Sequence, residues 1–208
     1  MKKLFLGVFA SGRGSNFEAI LEAIREDRLD AEARLLLSNK RDAGALSIAK
    51  NYGVPTAVVS KPDFTSRELF VKMMLSTLKD HGVEFIALAG YMKRVPPEVI
   101  SAYRNRMVNI HPALLPSFGG KGMYGHHVHE TVLAQGCKVT GVTVHIVDEV
   151  YDHGPIVAQR CVPVEEGDTP ERLAARVLKV EHEIYAEALQ LFAEGKVQVN
   201  EKRASIKK

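Results

Sequence analysis

Two polar side chains that could do chemistry lie at the end of a predicted strand, in Asn109-Ile110-His111-Pro112. Side chains alternate along an extended chain, so Asn109 and His111 point to the same side. Pro112 favours an extended backbone at His111. An amide donor and a titratable imidazole would then converge, which indicates a site for donating hydrogen bonds or moving protons. The alternative is an interior histidine with satisfied hydrogen bonds beside a turn asparagine.

A second candidate, Gly12-Arg13-Gly14-Ser15-Asn16, directly follows the first predicted strand and opens the first helix. Glycines let a ligand approach the backbone closely, and the N–H groups at a helix N-terminus bind phosphate. We expect Gly14, Ser15 and Asn16 to bind a phosphate, although an ordinary tight turn has the same pattern. A dinucleotide fingerprint would need a third glycine where Phe17 stands, so NAD is not predicted.

A third candidate is the segment from Val144 to Pro155, in which His145 on a strand precedes a loop with three acids, Asp148, Glu149 and Asp152. A carboxylate beside an imidazole raises the pKa of the imidazole and orients its ring. The segment could therefore supply such a partner, although acidic loops are usually only solvated.

A metal site is the competing interpretation of these histidines. His111, His145 and Asp152 could form a set of two histidines and one carboxylate, and His126-His127-x-His129 is a local cluster. Neither has the helical i, i+4 spacing of zinc ligands or support from cysteines. No metal is predicted, and the cluster at 126–129 is expected to open a helix that continues to Ala134.

Strand-like and helix-like segments alternate along the chain. This alternation predicts an α/β fold with an open, mostly parallel, twisted sheet of Rossmann-like type and helices on both faces. Ligands in such sheets bind beyond the carboxyl ends of the strands. The predicted strands are Leu4–Phe9, Arg34–Leu37, Pro55–Val59, Phe85–Ala89, Met107–Ile110, Val139–Val147 and Ile156–Val162. The predicted helices are Asn16–Glu26, Ala43–Tyr52, Thr65–Lys79 and a last one from Thr169, as N-cap, to Gly195.

Composition limits the class of protein. The chain has 208 residues, 46% hydrophobic and 25% charged, which is typical of a globular domain. We expect one domain over residues 1–195 and a solvated, frayed basic tail over residues 196–208. The tail carries most of the basicity behind the net charge of +3, so no nucleic-acid partner is predicted. No apolar run is long enough to span a membrane, and two cysteines indicate a reducing, cytoplasmic setting.

Taken together, the motifs resemble the phosphoribosylglycinamide formyltransferase family, the folate-dependent third step of purine synthesis. The resemblance runs in order over roughly residues 4–195. The pieces that carry it are Gly12-x-Gly14-Ser15-Asn16, Ser38-Asn39, Leu88-Ala89-Gly90-Tyr91-Met92, Asn109-Ile110-His111-Pro112-Ala113-Leu114-Leu115-Pro116, Gly141-Val142-Thr143-Val144-His145, Asp152-His153-Gly154-Pro155-Ile156 and Glu181-His182.

The resemblance implies small-molecule substrates and a monomer or homodimer. The formyl group of 10-formyltetrahydrofolate would move to the amine of glycinamide ribonucleotide without a metal. Gly14, Ser15 and Asn16 would hold the ribose phosphate, and Glu181 would bind the sugar hydroxyls.

The family also implies roles for the remaining motif residues. Asn109, His111 and Asp152 would be catalytic, with His111 kept protonated by Asp152. The resemblance also implies a folate pocket that is formed largely by backbone. Its residues would be Arg67, Met92, Lys93, Arg94, Val95, Asn109, Asp148, Glu149, Val150, Tyr151 and Asp152. Many members have Arg after the Met, and Lys93 cannot reproduce a planar guanidinium.

Three alternatives remain at this stage. A formyltetrahydrofolate hydrolase usually has an extra N-terminal regulatory domain and lacks the phosphate loop. Methionyl-tRNA formyltransferase would need a C-terminal RNA-binding domain. A non-catalytic folate or nucleotide sensor would not need Asn109, His111 and Asp152.

Overall fold

The computed structural model describes residues 3–207. The chain divides into two compact units, with the boundary between Val108 and Asn109. The sequence pattern did not predict this division, and the single domain over residues 1–195 stays a prediction. One sheet has seven strands, in the order Thr56–Val58, Ala31–Ser38, Leu4–Phe9, Phe85–Leu88, Met107–His111, Val139–Ile146 and Ile156–Pro163, and a separate sheet has two strands, Val197–Asn200 and Arg203–Ile206. The predicted α/β fold with a mostly parallel sheet is confirmed.

The first unit consists of alternating strands and helices. The elements are β1 (Leu4–Phe9), α1 (Ser15–Arg25), β2 (Ala31–Ser38), α2 (Gly44–Asn51), β3 (Thr56–Val58), a 3-10 turn (Lys61–Asp63), α3 (Arg67–Asp80), β4 (Phe85–Leu88) and α4 (Pro97–Ala102). Strand β1 pairs in parallel with β2 and β4, and β2 pairs in parallel with β3. The residues of β1 from Leu6 to Phe9 are buried, as expected for a strand with packed faces. The carboxyl ends of β1, β2 and β4 therefore lie at one edge.

The second unit carries the strand that ends in the Asn-x-His motif. The elements are β5 (Met107–His111), which begins just before the boundary, α5 (His126–Ala134), β6 (Val139–Ile146), β7 (Ile156–Pro163), α6 (Pro170–Ala193), β8 (Val197–Asn200) and β9 (Arg203–Ile206). Strands β6 and β7 are antiparallel, which confirms that they pair. Their register shifts between Val144 and His145, so the pairing is irregular next to this histidine.

Two local signals decide where α6 and α4 begin. The Thr169 hydroxyl accepts a hydrogen bond from the N–H of Arg172 at 3.3 Å, and Pro170 is the first helical residue, as predicted. Helix α4 was missed by the sequence analysis, although Pro97 at its first position was a usable signal.

The prediction of a frayed C-terminal tail is wrong. Strands β8 and β9 form an antiparallel hairpin in which Val197 pairs with Ile206. The turn is made at Glu201, whose φ is +50°. The net positive charge of this segment concealed its alternation of apolar and polar residues, which is the pattern of a half-buried strand.

No helix within residues 3–207 is long and apolar enough to cross a membrane.

Candidate active site

The glycine-rich loop joins β1 to α1 in the first unit. Gly14 is the N-cap of α1 with φ 89°, and no side chain caps the helix there. Ser15 and Asn16 begin the helix and are half-buried. A helix N-terminus without a side-chain cap presents backbone N–H groups to an anion, as the phosphate prediction requires. Whether phosphate binds there stays a prediction.

The structure also shows why position 14 is glycine. A Cβ built on Gly14 would lie 2.7 Å from the Cβ of Ala45 in α2, and the positive φ strains any L side chain. The bare backbone is thus required by packing against α2, in addition to the ligand approach that the sequence suggested.

We expect Gly14→Ala to weaken binding of glycinamide ribonucleotide at least tenfold, because the loop must move away from Ala45. Adding Ala45→Gly should restore part of that affinity, since it removes the clash and leaves only the φ penalty. Calorimetry with the ribonucleotide and with tetrahydrofolate checks this, and the folate affinity should stay within twofold.

The matched control is Gly53→Ala, which has φ +69° but no atom within 4 Å of the built Cβ. It should cost about 1 kcal/mol of stability without altering ribonucleotide affinity. Equal losses for both ligands in Gly14→Ala would show a general folding defect and contradict the assignment of the loop.

The second unit brings the three predicted catalytic residues together. Nδ1 of His111 lies 3.7 Å from Oδ2 of Asp152, and both side chains are nearly buried. Asn109 also lies on β5, two residues before His111, which is the spacing that places two side chains on the same side of a strand. Asp152 has φ 53°, and Gly120 donates a backbone hydrogen bond to its Oδ2 at 2.9 Å. The carboxylate is therefore held in place by the chain around it.

His145 joins this cluster, although the sequence analysis gave it no role in the reaction. Nδ2 of Asn109 lies 3.2 Å from Nε2 of His145, and Nδ1 of His145 lies 3.0 Å from the carbonyl oxygen of Ile146. The carbonyl can only accept, so Nδ1 of the neutral ring carries the proton and Nε2 accepts from the amide. This orients Asn109 with its amide group toward His145. The position of His145 in the Val144–Pro155 segment was the available signal.

The tautomer of His111 follows from its neighbours in the same way. Nε2 of His111 lies 2.8 Å from the carbonyl oxygen of Phe118, so this nitrogen carries the proton in the neutral ring. Nδ1 then presents a lone pair toward Asp152, which is consistent with the 3.7 Å separation being too long for a hydrogen bond.

The prediction that Asp152 keeps His111 protonated is wrong for the free protein. Burial lowers the pKa of His111, and the charge of Asp152 and the Phe118 carbonyl oppose this without overcoming it. Burial also works against ionisation of Asp152, but the neighbouring His145, the charge of His111 and the Gly120 N–H together lower the pKa of Asp152. At neutral pH the pair is a neutral imidazole beside a carboxylate.

Apart from Arg67 and Asn109, the residues predicted for the folate lie in two segments. Met92, Lys93 and Arg94 are exposed, whereas Val95 is buried. In the loop after β6, Asp148 is half-buried and Glu149, Val150 and Tyr151 are exposed. Gly154 follows that loop and packs so closely on the Ile146 carbonyl that a side chain there would collide with it. The segments offer apolar and aromatic surface, but their binding to folate stays a prediction.

Arg67 has a different partner in this structure. Its guanidinium makes a bidentate pair with the carboxylate of Glu98, at 2.6 and 2.7 Å. Both side chains are about half exposed, so the pair contributes little to stability. Arg67 would have to leave Glu98 to reach a carboxylate of the folate.

Glu181 lies on α6 and is 8% exposed. Its carboxylate is close enough to Tyr185, one turn later, that burial and this charge together raise the pKa of the tyrosine well above its ordinary value. A buried carboxylate on a helix is chemically suited to accept hydrogen bonds from sugar hydroxyls.

His129 is a buried histidine on α5 without an assigned role. It is 4% exposed, and its Nδ1 has no hydrogen-bond partner among residues 3–207. Burial, with smaller contributions from the charges of His126 and His111, lowers the pKa of His129 to about 4. Burial therefore favours the neutral form of the His129 ring in the folded protein.

This pKa predicts a loss of stability in mild acid. The unfolded chain takes up a proton at His129 near pH 6.5 and the folded chain only near pH 4, so stability falls as the pH falls between these values. The full effect is about 3 kcal/mol at 1.36 kcal/mol per unit. We expect His129→Phe, which keeps a ring, to reduce this dependence in urea unfolding at pH 7.5 and 4.5. An equal dependence in both proteins would contradict the assignment.

Within residues 3–207, no group of three or more His, Cys, Asp or Glu side chains is arranged to hold a metal ion. His126 and His127 instead lie on α5 near carboxylates: His126 is 3.3 Å from Glu171, and His127 is 2.9 Å from Glu130.

The chain is an α/β protein with a polar cluster at the end of strand β5. A model of the family described as formyl transferase matches residues 5–189. The chain therefore belongs to the formyl transferase family, and the sequence resemblance is confirmed.

Its relatives narrow the assignment to one branch of that family. A phosphoribosylglycinamide formyltransferase of Bacillus subtilis is 39% identical over 91% of this chain and 94% of that protein. A chloroplastic phosphoribosylglycinamide formyltransferase of Vigna unguiculata is 44% identical over 92% of this chain, which spans 62% of that protein's length. A glycinamide ribonucleotide transformylase 1 from Symbiobacterium toebii superposes with a TM-score of 0.93 at 39% identity, covering 100% of this chain and 95% of that one.

Proposed function

We propose that this protein is an enzyme that transfers a formyl group from 10-formyltetrahydrofolate to the amine of glycinamide ribonucleotide, in purine biosynthesis. The observation that carries the proposal is the cluster of Asn109, His111 and Asp152, which lie around one strand end with His111 and Asp152 nearly buried. Relatives named for this activity match nearly the whole chain. The formyl donor is a substrate that is consumed in each turnover.

Binding roles are proposed for each unit from its own geometry. In the first unit, the N–H groups of Gly14, Ser15 and Asn16 hold the ribose phosphate, since α1 has no side-chain cap there. In the second unit, the buried carboxylate of Glu181 accepts from the sugar hydroxyls. The 92–95 segment and the 148–152 loop take the folate, with Arg67 near its carboxylates.

The chemical step is an attack of the substrate amine on the formyl carbon. The new C–N bond forms as the carbonyl π electrons move to oxygen, which gives a tetrahedral oxyanion. Asn109 has a second amide hydrogen for that oxygen, because only one is directed to His145. The one N–H of neutral His111 is directed to the Phe118 carbonyl oxygen, so the form that serves the oxyanion is the protonated one, which carries a second N–H on Nδ1. The charge of Asp152 and the developing negative charge on the oxygen both favour this protonated form.

Asp152 would move the proton that this step releases. The attacking amine becomes positively charged and must lose a proton, while N10 of the folate must gain one as its bond to carbon breaks. The ionised carboxylate of Asp152, or a water bound to it, is suited to move this proton. The products are the N-formyl ribonucleotide and tetrahydrofolate.

A steady-state assay that follows release of tetrahydrofolate tests the proposal. We expect turnover only when glycinamide ribonucleotide is present, and a large rise in KM for the ribonucleoside that lacks the phosphate. Equal release with and without the ribonucleotide would favour a formyltetrahydrofolate hydrolase. Binding of both ligands without turnover would favour a sensor.

The remaining properties are proposals of the same kind. We infer small-molecule partners, no nucleic acid, a monomer or homodimer, and a cytoplasmic location. The location needs a direct test, because the Vigna unguiculata relative is named as chloroplastic.

A further inference from the structure

Ser11 is a buried polar residue two positions after the end of β1, in the first unit. It is 3% exposed. Its backbone N–H donates to the carbonyl oxygen of Gly90 at 3.1 Å, and its hydroxyl oxygen accepts from the N–H of Met92 at 2.8 Å. One residue thus holds the segment that follows β4 through two hydrogen bonds.

The same hydroxyl has a second partner, Asn39. The Ser11 hydroxyl donates to Oδ1 of Asn39 at 2.5 Å. A serine hydroxyl has one proton, and the Met92 N–H can only donate, so that proton must point to Asn39. The bonds run in one direction, from Met92 to Ser11 to Asn39, and such chains strengthen one another.

Asn39 is presented by the turn that ends β2. The N–H of Lys40 donates to the hydroxyl of Ser38 at 3.1 Å, which stabilises that turn. The Ser38-Asn39 motif thus has a structural role, because it places an acceptor oxygen beside the Ser11 hydroxyl. The network joins the carboxyl ends of β1, β2 and β4, which are neighbours in the sheet.

We propose that Ser11 is a positioning residue for folate binding, with Asn39 orienting its hydroxyl. The inference rests on the proposed function, in which residues 92–95 bind the folate. The side chains of Met92, Lys93 and Arg94 are exposed, so this part of the segment is not fixed by burial in the core. The Ser11 bonds to Gly90 and Met92, together with packing of Tyr91 on Phe9 at 5.3 Å between ring centroids, hold the start of this segment.

The main test is Ser11→Ala, with tetrahydrofolate and glycinamide ribonucleotide titrated separately by calorimetry. The alanine keeps the backbone bond to Gly90 but leaves the Met92 N–H without its acceptor. We expect Kd for tetrahydrofolate to rise about tenfold and Kd for the ribonucleotide to stay within twofold. In turnover, KM for 10-formyltetrahydrofolate should rise more than kcat falls.

Matched variants separate positioning from a general loss of stability. Ser11→Thr keeps the hydroxyl and should retain most of the folate affinity. Asn39→Asp keeps an acceptor oxygen and should stay within threefold of the natural protein, whereas Asn39→Leu should weaken folate binding. Ser76→Ala is the serine control, since its hydroxyl bonds only to the Met73 carbonyl of its own helix.

Hydrogen exchange gives a readout that does not depend on any substrate. The Met92 N–H should exchange slowly in the natural protein and faster in Ser11→Ala and Asn39→Leu, but not in Ser76→Ala. If Ser11→Ala does not fold, Asn39→Leu carries both tests.

The outcomes distinguish this inference from the proposed function. No folate-dependent turnover by the natural protein would overturn the proposed function. An active natural protein with unchanged folate affinity and unchanged Met92 exchange in the variants would overturn the role of Ser11. Equal losses for both substrates would show that Ser11 supports the whole unit rather than the folate segment.

Discussion

His111→Ala is expected to lower kcat by about 10²–10⁴, because it removes a hydrogen-bond donor to the oxyanion. The KM values for both substrates should change much less, since the donor acts on charge that exists only during the reaction. Removal of the buried His111 ring leaves a cavity that lowers stability, so the folded state of the variant is checked before the kinetics are read.

The experiment is a steady-state measurement at neutral pH on protein whose thermal unfolding has been checked. His81→Ala is a suitable control, because His81 is the C-cap of α3 and its ring bonds to the Thr77 carbonyl of the same helix. It should keep turnover within twofold. A kcat within threefold of the natural protein for His111→Ala would contradict the catalytic assignment.

Asp152→Asn is expected to lower kcat by a similar factor of about 10²–10⁴, for an electrostatic reason. The amide has nearly the same shape, tolerates the φ of 53° and can still accept from the Gly120 N–H. The substitution removes the negative charge of Asp152, which raises the pKa of His111. Without that charge His111 becomes harder to protonate. The amide also cannot take a proton from the attacking amine.

Kinetics as a function of pH checks this prediction further. The pKa of Asp152 is lowered, so the carboxylate is ionised throughout the working range and the variant should be impaired at every pH. Asp27→Asn is a matched control, because exposed Asp27 also has a positive φ, 55°. An Asp152→Asn variant that regains natural turnover at low pH would show that charge at position 152 is not needed.

Local sequence determined much of the framework of this protein. The apolar run of β1 followed by glycines and a helical period was sufficient to predict the first strand, the loop and α1. Thr169-Pro170 marked the start of α6, because capping depends on residues next to one another. Alternation alone placed Asn109 and His111 on one side of β5.

The partners of these residues were decided by the tertiary structure. His145 reaches Asn109 across 36 positions of sequence, and Asp152 is held by Gly120 across 32. Neither separation along the chain follows the period of a helix or a strand, because such contacts depend on strand pairing and loop conformation. The resemblance named Asp152, but the contacts with Gly120 and His145 emerged only from the fold.

Burial is the second property that the sequence did not contain. A carboxylate near an imidazole predicted a protonated His111, but the packing around the ring lowers its pKa, because burial penalises charge. Arg67 is likewise paired with Glu98, 31 residues away, and the basic tail pairs with itself as β8 and β9. The sequence determined which groups were available for chemistry. The burial and the neighbouring groups that the folded chain provides decided the charge and the partners of those groups.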